Sequence, residues 1–208
     1  MPHTDAWILP PRNPATAAVR LERHTLCERA ILALRRSGIE RIAISEECRM
    51  GVAALRRLAR HGIAVLTRQS AWDGAADSRR VVIVSSDVVF EPSAVGALVE
   101  KLSSAGVDAV AAAEASPGTF VAVAPEAATG LDRRSSDREI LRQLDPVRVA
   151  SLGGRFCRAI TGRRDAVAIE QSYISHVHRF DGLTRRLVRL AAAPFVRLLF
   201  RHRGSDAG

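Results

Sequence analysis

Lysine is nearly absent. Lys101 is the only one in a chain of 208 residues in which Lys and Arg together number 31 against 22 Asp and Glu. The formal charge of +9 is therefore carried by guanidinium groups, and it favours anionic partners such as nucleotides, sugar phosphates or acidic lipid headgroups. Arginine bias of this kind also accompanies high-GC coding, so alone it is poor support for a nucleic-acid ligand. Aromatic residues make up only 4% of the chain, with one Tyr and two Trp. So few stacking platforms, and no known binding motif, argue against a nucleic-acid partner. Cysteine is scarce and odd in number: Cys27, Cys48 and Cys157 are widely spaced and lack a Cys-x-x-Cys pairing. Neither a disulfide framework nor a zinc site is indicated, and a reducing cytoplasm fits. No apolar run reaches the roughly 18 residues that span a bilayer. The N-terminus, with His3 and Asp5, lacks the apolar core of a secretion signal.

What is present is an apolar fraction of 47%, enough for one substantial core with appendages. Strand-like and helix-like segments alternate. "AWIL" (6–9) is a short apolar run ended by Pro10 and Pro11, and a proline-punctuated loop follows to about residue 24. In "TLCERAILALRRSGI", Leu26, Ala30, Ile31 and Leu34 recur at helical spacing, Thr25 with Glu28 forms a capping box, and Gly38 ends the helix. "RIAIS" (41–45), the helix "MGVAALRRLARHG", "IAVLT" (63–67), a polar loop (69–78) and the strand Val81 to Val84 come next. A helix "PSAVGALVEKLSSAG" ends at Gly106, and "DAVAAAEA" and "TFVAVAP" read as further strands. The order predicts an α/β fold, a Rossmann-like three-layer sandwich with a mainly parallel sheet and helices on both faces.

After about residue 125 the chain is richer in Arg, Asp and Gly, and its periodicity is weak as far as residue 180. "LTRRLVRLAAAPFVRLLFRHR" (183–203) then places Leu183, Leu187, Leu190 and Leu198 along one side of a basic amphipathic helix, kinked at Pro194. The expected organisation is an α/β domain over 1–180 and a basic C-terminal tail over 181–208. The tail either packs its leucine side on the core or lies on an anionic membrane surface.

The strand "RRVVIVSSDVVFEP" (79–92) ends on a lone carboxylate, Asp87, beside Ser85 and Ser86, whose hydroxyls are candidate hydrogen-bond donors to a nucleotide. In parallel α/β sheets ligands collect at the carboxyl ends of strands. A carboxylate there suits a Mg²⁺ ion shared with nucleotide phosphates, because magnesium takes one or two carboxylates and completes its shell from phosphate and water. The plainer alternative is that Asp87 caps its own turn and Ser93 caps the next helix.

"TLCERAILALRRSGIERIAIS", followed some forty residues on by "VVIVSSDVVFEPSAVGALVEKL", resembles the sugar-phosphate and inositol-phosphate nucleotidylyltransferases over roughly residues 6–125. The resemblance implies a Rossmann-like fold and a nucleotidyl transfer from a nucleoside triphosphate to a sugar or inositol phosphate, with release of pyrophosphate. It also implies Mg²⁺ as cofactor and Asp87 as its ligand. The family carries a glycine-rich loop over the nucleotide. Here the corresponding segment, "PPRNPATAAVRLERH", has no glycine, and its prolines lack N–H donors. The family's lysine before the first helix is also missing. Arg12, Arg20 and Arg23 are the candidates to hold the triphosphate, since guanidinium pairs with phosphate bidentately. No second metal-binding carboxylate is assigned, although Asp165 and Asp181 are available.

The departures leave an alternative open: a catalytically degenerate relative serving as a regulatory or scaffolding module for a membrane-bound CDP-alcohol phosphotransferase through residues 183–203. The basic tail is similar to the stretch that joins such domains in bifunctional enzymes. "DGLTRR" (181–186) resembles part of that partner family's motif but lacks its other acids. Either way the expected location is cytoplasmic, peripheral at the inner face of the membrane if the tail docks there. His176 and His178 fall on one face if their segment is a strand, two imidazoles without a third ligand. Cys27 reads as core, while Glu28 and Glu170 have no base or nucleophile beside them.

Overall fold

A computed structural model describes residues 4–21, 24–48, 50–60, 62–67, 80–115, 119–130, 139, 148–162 and 164–176. The chain divides into two compact units, Met1–Ile169 and Glu170–Gly208. Arg23, the 69–78 loop, His178, Asp181 and the 183–203 tail lie outside the described residues.

The first unit is built on a seven-stranded sheet. In chain order its strands are β1 (Thr4–Leu9), β4 (Ile42–Ile44), β5 (Val65–Thr67), β6 (Arg80–Ser85), β8 (Ala109–Ala112), β9 (Phe120–Val123) and β10 (Arg148–Ala150). Across the sheet the order is β10-β8-β9-β6-β1-β4-β5. All neighbouring pairs are parallel except those of β9, which runs against both β6 and β8. Two small ribbons complete the strands: β2 (Arg20–Leu21) with β3 (His24–Thr25), and β7 (Val88–Phe90) with β11 (Cys157–Ala159).

Four helices with defined ends are described: α1 (Leu26–Arg36), α2 (Val52–Arg60), α3 (Pro92–Ala105) and α4 (Pro125–Gly130). Residues 164–176 are also helical. His176 lies in this helix, and its expected partner His178 is outside the described residues. Helix α1 begins at the expected capping box: the Thr25 side chain accepts from the Glu28 N–H, and Glu28 Oε2 accepts from the Thr25 N–H at 2.8 Å. The N-cap of helix α3 lies two residues earlier than the Ser93 that the sequence suggests. Pro92 occupies its first turn, Glu91 is the N-cap, and the Ser93 hydroxyl bonds the Glu91 carboxylate. At the other end Gly106 takes φ 61°, the left-handed conformation that glycine adopts without a Cβ penalty.

The central strands are apolar on both faces because both are covered. Ala6, Ile8, Val82, Val84, Val110, Ala112, Phe120 and Ala122 point into one core with residues of α1, α2 and α3. Trp7, Leu9, Val81, Ile83, Ala109, Ala111, Val121 and Val123 point into the other, which α4 meets through Ala127 and Ala128. The result is the expected three-layer α/β sandwich with a mainly parallel sheet. Among the described residues no helix is long and apolar enough to cross a membrane. Leu98 on α3 is fully buried, whereas Leu55 on α2 is 40% exposed. Leu98→Ala should lower unfolding stability in urea by about 2–5 kcal/mol, and Leu55→Ala by less than about 1 kcal/mol.

Candidate functional site

From β1 the chain crosses over to β4 on one side, while β6 lies on the other. The carboxyl ends of β1 and β6 are thus adjacent strand ends whose loops diverge, the setting in which α/β sheets form crevices. Asp87 sits at the end of β6, and Pro10 to Asn13 leave the end of β1.

The Asp87 carboxylate is 3% exposed and is held from both segments. Its Oδ2 accepts the backbone N–H of Arg12 at 3.0 Å, and its Oδ1 accepts the Ser85 hydroxyl at 2.5 Å. The same hydroxyl stands 3.0 Å from the Pro10 carbonyl. The carboxylate therefore reaches across the sheet rather than capping the amides of its own turn. Backbone bonds reinforce the junction: the Ser86 N–H donates to the Leu9 carbonyl (2.9 Å), the Ile160 N–H to the Asp87 carbonyl (2.8 Å) and the Ser85 N–H to the Thr119 carbonyl (2.7 Å). Ser86 is buried as well.

The loop after β1 contributes differently from what its arginines suggest. Arg12 meets Asp87 through its main chain, with its side chain on an exposed residue. Arg20 is exposed on β2 and has no hydrogen bond to Asp87. Most of the loop's donors are consumed internally. Asn13 caps the 3₁₀ turn Pro14–Thr16 by accepting the Ala15 N–H, and the N–H groups of Thr16, Ala17 and Val19 bond to carbonyls of Asn13, Pro14 and Thr16. Pro10, Pro11 and Pro14 have none to offer. A glycine-rich cradle presents its amides outward, whereas this loop is closed on itself.

A third segment approaches the junction. The Asn13 side-chain amide donates to the Thr161 carbonyl at 2.9 Å, and the Thr161 hydroxyl bonds the Asp165 carboxylate. Asp165, left as an available second acid by the sequence, is thereby linked through Thr161 to the loop that Asp87 holds. Among the described residues no three His, Cys, Asp or Glu side chains form a metal-binding group. The donors around Asp87 are all oxygens, a carboxylate, a hydroxyl and a carbonyl, which suit magnesium or manganese better than zinc.

Two other acids have structural partners that sequence reasoning missed. Glu28 is 1% exposed, and its Oε1 accepts from Arg57 Nη2 at 2.7 Å and Nε at 3.0 Å, tying α1 to α2. Burial alone would raise its carboxyl. The Thr25 backbone bond, the Arg57 hydrogen bond and the Arg57 charge outweigh that and hold the pKa below the ordinary glutamate value of 4.5. Glu114, just past β8, accepts the Ser151 hydroxyl and the Leu152 N–H through Oε1, both at 2.7 Å, while its buried Oε2 has no partner among the described residues. Burial, with help from the Glu114 charge, pushes the Cys157 thiol up to about 12, so it remains protonated and unreactive at neutral pH.

No family model matches the sequence, and no curated protein matches it either. Solved structures do match in fold. The inositol-1-phosphate CTP transferase from T. maritima is 12% identical, with 78% of this chain and 91% of that one covered and a TM-score of 0.50. A putative glucose-1-phosphate thymidylyltransferase from Bacillus anthracis, in complex with a sucrose, is 10% identical over 81% and 94%, with a TM-score of 0.55. Rv0371C from Mycobacterium tuberculosis H37Rv, complexed with manganese, is 12% identical over 80% and 96%, again at 0.55. The chain thus shares the fold of the nucleotidyltransferases that act on sugar and inositol phosphates.

The Glu28 pKa is depressed in the fold, so its contribution to stability is present above about pH 4.5 and is lost as the pH falls through the folded value. Glu28→Gln should cost about 2 kcal/mol at pH 7 in chemical unfolding, and the gap to the parent should narrow below pH 4.5.

Proposed function

We propose that the chain is a nucleotidyltransferase that moves a nucleotidyl group from a nucleoside triphosphate to a sugar or inositol phosphate, releasing pyrophosphate. The observation that carries the reading is Asp87: an acid fixed at the carboxyl ends of β1 and β6, within a fold shared with enzymes of that chemistry. A phosphate oxygen of the acceptor attacks the α-phosphorus, the bond to the bridging oxygen of pyrophosphate breaks, and charge gathers on the phosphoryl oxygens. When bound, Mg²⁺ offsets that charge.

The chain's own part is positioning and electrostatics, which accounts for a site without a nucleophilic side chain. Asp87 holds the cation side of the triphosphate. Arg12 and Arg20, exposed on the loop and on β2, supply positive charge where the polyphosphate enters. Ser85 fixes the Asp87 carboxylate against the Pro10 carbonyl. The reading places the protein in the cytoplasm.

One observation favours a second reading, a non-catalytic relative that scaffolds a membrane enzyme through its basic tail. The loop that would cradle phosphates already spends the amides of Arg12, Ala15, Thr16, Ala17 and Val19. The two readings separate in one assay, in which the protein is incubated with each nucleoside triphosphate, Mg²⁺ and glucose-1-phosphate or inositol-1-phosphate while pyrophosphate is measured. The transferase reading expects release with at least one pair and at least a hundredfold loss of turnover in Asp87→Ala, in line with the removal of a group that stabilises transition-state charge. No release with any pair, and no Mg²⁺-dependent thermal stabilisation by any nucleotide, would favour the scaffold.

A further inference from the structure

We propose that Asp87 is also a latch on the loop after β1, one that a divalent cation must open before the nucleotide can bind. The inference rests on the transferase reading of Asp87 and adds an order of events to it. Both carboxylate oxygens are engaged in the closed arrangement, Oδ2 by the Arg12 N–H and Oδ1 by the Ser85 hydroxyl, and the group is 3% exposed. Each oxygen keeps a second lone pair, but the carboxylate is covered from solvent, and a cation at about 2.1 Å repels the amide hydrogen of like sign, so it binds at the expense of the Arg12 bond. Phosphates cannot displace the amide, because they are repelled by the group that holds it. The cation therefore binds first.

The surroundings are arranged for two states. Ser85 has one hydroxyl proton and two acceptors within reach, Asp87 Oδ1 and the Pro10 carbonyl. With a cation on the carboxylate, that proton turns to Pro10 and the end of β1 stays anchored. Beyond it, the Arg12 N–H is released, while the Asn13 side chain stays bonded to the Thr161 carbonyl. Pro10 and Pro11 restrict the backbone before Arg12, and buried Thr16 and Val19 hold the loop after it, so the opening is confined to Arg12 and its neighbours.

The test compares two substitutions at one position. Arg12→Gln keeps the N–H and removes the guanidinium, whereas Arg12→Pro removes both. With Mn²⁺ as the probe and free ion read by electron paramagnetic resonance, the proline variant should bind about tenfold tighter than the glutamine variant, the factor expected when a hydrogen bond to a charged group no longer competes. In the parent protein, saturating Mn²⁺ should speed hydrogen exchange of the Arg12 amide by about tenfold, a measurement that stands even if the proline variant fails to fold. Equal Mn²⁺ affinity of the two variants, or an Arg12 amide equally protected with and without Mn²⁺, overturns the latch while leaving the metal assignment intact. Absence of Mn²⁺ binding, or binding unaffected by Asp87→Asn, overturns the metal assignment and the latch together.

Discussion

A single carboxylate joins two strand ends that the chain leaves 75 residues apart, and the site is organised by that bond. Asp87 accepts the Arg12 N–H from beyond β1 and the Ser85 hydroxyl from the end of β6, in a place where water scarcely reaches. A buried charge of this kind persists only if its hydrogen bonds are made, and leaving it unpaired costs several kcal/mol, roughly, per ion. The loop between β1 and α1 is drawn in as a consequence, and its own amides fold back on Asn13, Pro14 and Thr16.

The scaffold behind the site follows from strand periodicity. Along β1, β6, β8 and β9 alternate residues enter opposite cores, so the sheet is apolar through its thickness and polar groups are confined to its ends. The ribbon of β7 with β11, and the stack of Phe90 on Phe120 at 4.9 Å between ring centres, hold the turn that carries Asp87. Glu28 and Arg57 do the same for the helices behind the loop.

The parts that are local in sequence were readable from it. A β-branched run ending on one acid marks β6 and Asp87. A threonine three residues before a glutamate marks the start of α1. The α/β class follows from the alternation of short apolar runs with helical periodicity. What escaped was long-range or carried by the main chain. Arg12 stands out by its side chain yet meets Asp87 through its N–H, a role that any residue except proline can fill. Strands of three residues such as β7, β10 and β11 exist because of distant partners, so their own composition is uninformative. Glu28 offers two carboxylate oxygens: the capping box that uses Oε2 was legible, and the Arg57 pairing of Oε1 from another helix was not. Ser93 is not the cap, because Pro92 sets the helix start two residues earlier than a Ser93 cap would.

The account stands or falls on what Asp87 does when a cation and a nucleotide are both present. Crystals of the full chain grown with Mn²⁺ and a non-hydrolysable triphosphate, with data collected at the manganese edge, address it directly. The account predicts an anomalous peak about 2.1 Å from the Asp87 carboxylate, with phosphate oxygens on the ion's other side and Arg12 N–H withdrawn. Manganese bound elsewhere, with the Asp87 to Arg12 bond intact beneath a bound nucleotide, would contradict it.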